Sequence, residues 1–166
     1  FLAKDEPLEQ TYTVTIEDNN GEPVDQVVKV TITGTNDEPV IDAITKTDLL
    51  EQTDTTVLTR DIDVTFKDID LADVDHSASV TAVTSSGVNT GLALVEEADL
   101  IDLISVGNVT KNSGSDTGSL KLTFEAGSTV FDYLALDEIV TLTYTVEVAD
   151  GDGGTDTQDF VVEIKG

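Results

Sequence analysis

Four aspartates within eight positions, Asp68, Asp70, Asp73 and Asp75, followed by the chain's one histidine, His76, are the densest chemistry in this sequence. No Lys or Arg interrupts the run, so the carboxylates repel unless solvent spreads them or a hard cation neutralises them. Ca²⁺ suits such a set because it takes six to eight oxygen ligands. Two further groups share that character. Asn36-Asp37-Glu38 puts three oxygen-bearing side chains ahead of Pro39, and Asp150-Gly151-Asp152-Gly153-Gly154 has the composition of a calcium loop. The second lacks the twelve-residue spacing and closing Glu of an EF-hand, and a plain turn explains it as well as a site does. His76 reads as a polar loop residue rather than as a ligand or a general base.

Catalysis finds little support in the same residues. A Ser-His-Asp arrangement would have to use His76, which has no Gly-x-Ser-x-Gly motif near it. Zinc would lack cysteine and have one histidine. Paired carboxylates could serve a glycosidase, but a chain with no Trp and 5% aromatics has little with which to line a sugar cleft. The formal charge of −26, from 34 acidic against 8 basic residues, excludes a nucleic-acid or anionic-lipid footprint and makes cations the natural partners. An acidic surface can also reflect a salty medium, where screening makes it tolerable. No apolar run approaches the ~20 residues that span a bilayer, so no membrane insertion of this segment is expected. The absence of cysteine removes disulfides and thiolate sites without settling the compartment.

The elements that must position these groups read as β-strands. Tyr12, Val14 and Ile16 alternate with Thr11, Thr13 and Thr15, and Val28, Val30 and Ile32 line one face of the next strand, with Asp18-Asn19-Asn20-Gly21 as the turn of a hairpin. Tyr144, Val146 and Val148, then Phe160, Val162 and Ile164, repeat the pattern. Strands are also expected at 40–44, 62–66, 79–84 and 119–124. Spacing over 95–106 is helical, with Glu96-Glu97 in the first turn, where negative charge is favoured. Seven or so strands and one short helix predict an all-β Greek-key sandwich.

The chain also repeats itself. Residues 2–34 align without a gap on residues 134–166, at a constant offset of 132, so that Asp5-Glu6 meets Asp137-Glu138 and Thr11-Tyr12-Thr13-Val14 meets Thr143-Tyr144-Thr145-Val146. A domain-sized offset of this kind is what tandem modules leave. The expected organisation is the closing hairpin of one module at 1–34, an acidic junction stiffened by Pro39 at 35–39, and one complete module at 40–166, the whole being a window on a longer array. An isolated hairpin is marginal in water. Residues 1–34 are therefore expected to dock, to pair with an exposed edge, to stay mobile, or to take the place of 134–166 in a neighbouring molecule.

Phe66-Lys67-Asp68-Ile69-Asp70-Leu71-Ala72-Asp73, Phe131-Asp132-Tyr133-Leu134-Ala135-Leu136-Asp137-Glu138, Leu142-Thr143-Tyr144-Thr145-Val146 and Ile32-Thr33-Gly34-Thr35-Asn36-Asp37-Glu38-Pro39-Val40 resemble the VCBS-type, cadherin-like tandem repeats of large bacterial RTX adhesins. The junction departs from the usual Asn-Asp-Ala-Pro, and Asp137-Glu138 from the commoner Gly-Glu. The resemblance implies an immunoglobulin/cadherin-like sandwich in a type I secreted, surface-held adhesin with Ca²⁺ at its junctions. It implies that Asn36, Asp37, Glu51, Asp68, Asp70 and Asp75 share one end of the module as Ca²⁺ ligands, with Asp150 and Asp152 as weaker candidates. Two functions follow as expectations. One is a structural extender that stacks against neighbouring repeats of the same chain and is rigidified by Ca²⁺. The other is a Ca²⁺-dependent module that binds extracellular glycans or cell surfaces through loops such as 85–89 and 111–118.

Overall fold

A computed structural model of the protein describes residues 1–51, 57–92 and 95–166. Two antiparallel strands come first, β1 (Pro7–Ile16) and β2 (Val24–Thr33), paired with each other. The remaining strands form two sheets. One has the order β4 (Thr47–Leu50), β11 (Thr155–Lys165), β10 (Ile139–Ala149), β6 (Ser77–Gly87). The other runs β3 (Val40–Ile41), β5 (Leu58–Lys67), β9 (Thr117–Ala126), β7 (Ile104–Val106), with β8 (Thr110–Lys111) also on β9. Consecutive strands β3 to β7 alternate between the sheets, and β4 runs parallel to β11. The architecture is thus the expected all-β sandwich, with one short α-helix among the described residues.

Period-two alternation builds the core between the sheets. In β10, Val140, Leu142, Tyr144, Val146 and Val148 are fully buried, while Thr141, Thr143, Thr145 and Glu147 face the other way. Phe160, Val162 and Ile164 continue that inner face on β11. Ile62, Val64 and Phe66 of β5 and Leu120, Leu122 and Phe124 of β9 form the opposing one. Each such side chain contributes about 1.5–3 kcal/mol through burial. Gly118, opposite Phe66 in the ladder, leaves room for that ring, since an added Cβ would collide with it.

Two elements differ from expectation. The helix is confined to α1 (Glu97–Ile101), where Glu97 and Asp99 occupy the first turn and Leu100 is buried. Ile104–Val106, expected to continue it, instead pairs with β9, Ile104 opposite Phe124. Ile and Val lose side-chain freedom in a helix, and the free side of β9 offers them hydrogen-bond partners. The strand expected over 40–44 stops at Ile41, and Thr47–Leu50 forms a separate strand on β11.

The sequence repeat is a structural repeat. β1–β2 and β10–β11 share one register, Tyr12 opposite Val28 and Tyr144 opposite Phe160. The same clasp closes both. Asp5 and Asp137 adopt left-handed backbone at φ 61° and 67°. Their N–H groups donate to Gly34 O and Gly166 O at 3.1 and 3.0 Å. Glu6 and Glu138 carboxylates accept from Ala3 and Ala135 N–H at 3.0 and 2.9 Å. The surroundings differ: Tyr12 is 51% exposed and Tyr144 0%, because only β10–β11 has sheets around it.

The first residues of the segment 1–34 touch the sandwich. Phe1 O accepts from Leu71 N–H at 3.4 Å, and Lys4 Nζ lies 3.1 Å from Asp152 O and 3.7 Å from its carboxylate. Phe1, Leu2 and Glu6 face Leu71, Ala72, Ser113 and Gly114 across a small cleft.

Candidate metal centre

The linker and three turns meet at one end of the sandwich. β5 delivers Asp68 there at the close of its ladder, its N–H donating to Asp116 O at 2.8 Å. Asp68 is buried with both oxygens engaged, Oδ1 by Asp70 N–H at 2.8 Å and Oδ2 by His76 Nε2 at 2.7 Å. A carboxylate can only accept, so Nε2 carries the hydrogen. The first bond makes an Asx turn that folds the loop back on itself.

Asp70 is 0% exposed. Its Oδ2 accepts from the linker's Asp37 N–H at 2.8 Å, while its Oδ1 has no protein partner. Asp73 is also buried, with Oδ1 accepting weakly from Asp75 N–H at 3.3 Å and Oδ2 unpartnered. Burial pushes the Asp73 carboxyl up, against the pull of that bond and of His76. Lys111, buried on β8, donates to the carbonyls of Asp70 and Asp73 at 2.6 and 2.7 Å, pinning the loop through its backbone.

The last turn supplies the other wall. Gly151 and Gly153 take φ of 84° and 111°, conformations that favour glycine. The turn wraps Asp150, whose Oδ1 accepts three backbone N–H groups, from Asp152, Gly153 and Gly154, at 2.7, 2.9 and 2.9 Å. Asp150 Oδ2 accepts from Asn36 Nδ2 at 2.7 Å, leaving Asn36 Oδ1 buried without a protein partner. Burial alone would raise the Asp150 carboxyl, but the bonds from Asn36 and the backbone outweigh it and hold it below the ordinary range. Gly154 admits this clasp: an added Cβ would collide with Asp150 Oδ2 and lie 3.0 Å from Asn36 Nδ2 and Glu38 Cα.

Five of the eight sequence-predicted ligands, Asn36, Asp37, Asp68, Asp70 and Asp150, therefore converge, Asp37 through its backbone. Asp75 and Asp152 lie beside the cluster but are exposed, and Asp152 faces Lys4. Glu51 is a correction. It follows β4, which runs parallel to β11, so its N–H donates to Lys165 O at 2.7 Å at the opposite end of the sandwich.

Sequence reasoning left out two residues. Asp73 was in view within the run but outside the ligand set, and His76 was expected to be a polar loop residue. Its side chain is only 1% exposed, with the ring 5.0 Å from that of Phe66 and Nδ1 unpartnered. Asp68, Asp73 and His76 bring ligand atoms within 4.8 Å of one another, a grouping that could hold a metal ion. The one available signal was a lone histidine eight residues after an aspartate that itself follows an alternating strand. Lys111, placed by the sequence in a candidate binding loop, is instead part of this cluster's support, and residues 85–87 belong to β6. Neither a protein-family model nor a curated protein sequence matches the chain.

Proposed function

We propose that this chain is a segment of a calcium-stiffened array of modules, in which a Ca²⁺ ion at the linker end fastens one module to the next. The observation that carries the reading is a set of buried oxygens without protein partners, Asn36 Oδ1 on the linker and Asp70 Oδ1 and Asp73 Oδ2 on the loop that Asp37 N–H touches. A buried acceptor left unpaired costs about 1–3 kcal/mol, and more when charged, a cost that a hard cation with oxygen ligands removes. Asp68 and Asp150, with their oxygens already hydrogen-bonded, hold the ligating segments in place.

Ca²⁺ supplies positive charge and a demand for many oxygens. The chain supplies ligands from the junction itself, Asn36, and from the following module, Asp70 and Asp73. Binding would lock the angle between hairpin and sandwich and oppose the mutual repulsion of the aspartates. The structural repeat fits an extender that works by copying, as in the secreted bacterial adhesins that the sequence resembles, and an extracellular, surface-held setting would supply the calcium. No catalytic role is part of this reading.

X-ray scattering of the chain in chelator and in millimolar Ca²⁺, at fixed ionic strength, tests it. Binding is expected to lengthen the maximum dimension and narrow the distribution of hairpin-to-sandwich distances. Superimposable curves in the two conditions would remove the stiffening role.

A further inference from the structure

Every oxygen in the pocket suits calcium, but His76 does not. An imidazole nitrogen is a ligand for Zn²⁺, Cu²⁺, Ni²⁺ or Fe²⁺, whereas Ca²⁺ takes oxygen. An inert loop histidine would face solvent, and this one is closed off by Phe66 and by the acidic loop, its side chain 1% exposed. The Nε2–H to Asp68 bond holds the ring against both carboxylates, so an ion that replaces this hydrogen, released as a proton to solvent, would meet Nε2, Asp68 and Asp73 together. Nδ1 is left buried with no partner, as is Asp73 Oδ2. A ring nitrogen and carboxylate oxygens from Asp68 and Asp73 lie within 4.8 Å of one another.

We infer that Asp68, Asp73 and His76 form a site for a first-row transition ion, Zn²⁺ being the probe of choice, on the sandwich side of the linker pocket. The assignment does not rest on the calcium reading. Its three residues all belong to the loop after β5 and need nothing from the linker, whereas the proposed junction needs Asn36. Because both would use Asp73, the two ions are expected to weaken each other's binding.

The single histidine makes the test specific. Uniformly ¹⁵N-labelled full chain is titrated with Zn²⁺ in excess Mg²⁺, which occupies exposed carboxylates, and the long-range ¹H–¹⁵N spectrum of the imidazole is recorded. One ring nitrogen is expected to shift and to saturate at one equivalent. In parallel calorimetry, His76→Gln is expected to weaken Zn²⁺ binding by about tenfold or more. A separate Ca²⁺ titration without Zn²⁺ distinguishes the two readings: zinc ligation in a chain that binds no calcium sinks the junction proposal alone, and calcium binding in a chain whose ring nitrogens Zn²⁺ leaves unmoved in the absence of Ca²⁺ sinks this one alone. Undiminished affinity in a folded His76→Gln variant also overturns it. If that variant does not fold, the ring spectrum of the unaltered protein decides.

Discussion

Asp70 concentrates the tension in the molecule. It is wholly buried, tied by one oxygen to the linker and open at the other. Replacing it by Asn keeps an acceptor for Asp37 N–H and removes the charge. Asp70→Asn should therefore weaken Ca²⁺ binding on the order of tenfold, since affinity follows the charge of the ligand set. In chelator its melting temperature should be equal to or above that of the unaltered chain, because a buried charge lacking full compensation is gone. Melts in both media check the pair, and a drop in chelator would contradict it. Tyr144 tests the core in the alkaline range. Burial raises its phenol above the ordinary tyrosine range, and its hydroxyl donates to Leu100 O at 3.1 Å. A folded pKa above the unfolded value of about 10 leaves this stability whole below that pH and erodes it as the pH rises further. Tyr144→Phe should cost about 1–3 kcal/mol at neutral pH through the lost bond and should flatten the alkaline decline, as urea midpoints at neutral pH and near pH 11 would register. The crowding of Asp68, Asp70 and Asp73 was legible in the sequence. Glu51 was misplaced because sequence does not reveal that β4 lies parallel to β11, and His76 was passed over because nothing in a linear string shows that the loop closes over Phe66.

At the scale of elements, turns rather than strands hold the junction together. The strand interiors were plain in the sequence because alternation on β5, β9, β10 and β11 directly encodes a buried face. Of the short edge strands, β3 was read at its start but not at its end, and β4, β7 and β8 were not read, since two to four residues give no period and their pairing depends on a neighbour's free edge. The helical reading of 95–106 failed at Ile104 for that reason. The Asp150–Gly154 turn carries a sharper expectation. Gly154→Ala would drive a methyl into the Asn36–Asp150 clasp while leaving the core untouched. A loss of about 1–3 kcal/mol, typical of overpacking, should appear in denaturant midpoints. Hydrogen exchange should quicken at Asp37 and at residues 152–154. An unchanged exchange rate at Asp37 would show that the clasp does not hold the linker.

Across the whole molecule, two copies of one hairpin stand in different surroundings. The register and the Asp-Glu-Gly clasp are identical, yet the apolar face of β1–β2 is exposed and that of β10–β11 is sealed. The hairpin is thus a local design repeated at 132 residues, and its anchorage to the sandwich falls to a few contacts around Phe1, Lys4, Asn36 and Asp37. That sparse contact set lies beside the acidic loop 68–75 and the Asp150 turn, in a chain with net charge −26. Binding to the native state alone adds RT ln(1 + [L]/Kd), or ~2.7 kcal/mol at a hundredfold excess over Kd. Thermal unfolding in EDTA and in millimolar Ca²⁺, at one fixed ionic strength, tests the cation-stiffened junction most directly. A melting temperature that rises with Ca²⁺ and keeps rising with its concentration is the predicted result, and coincident melts in the two media would contradict the account.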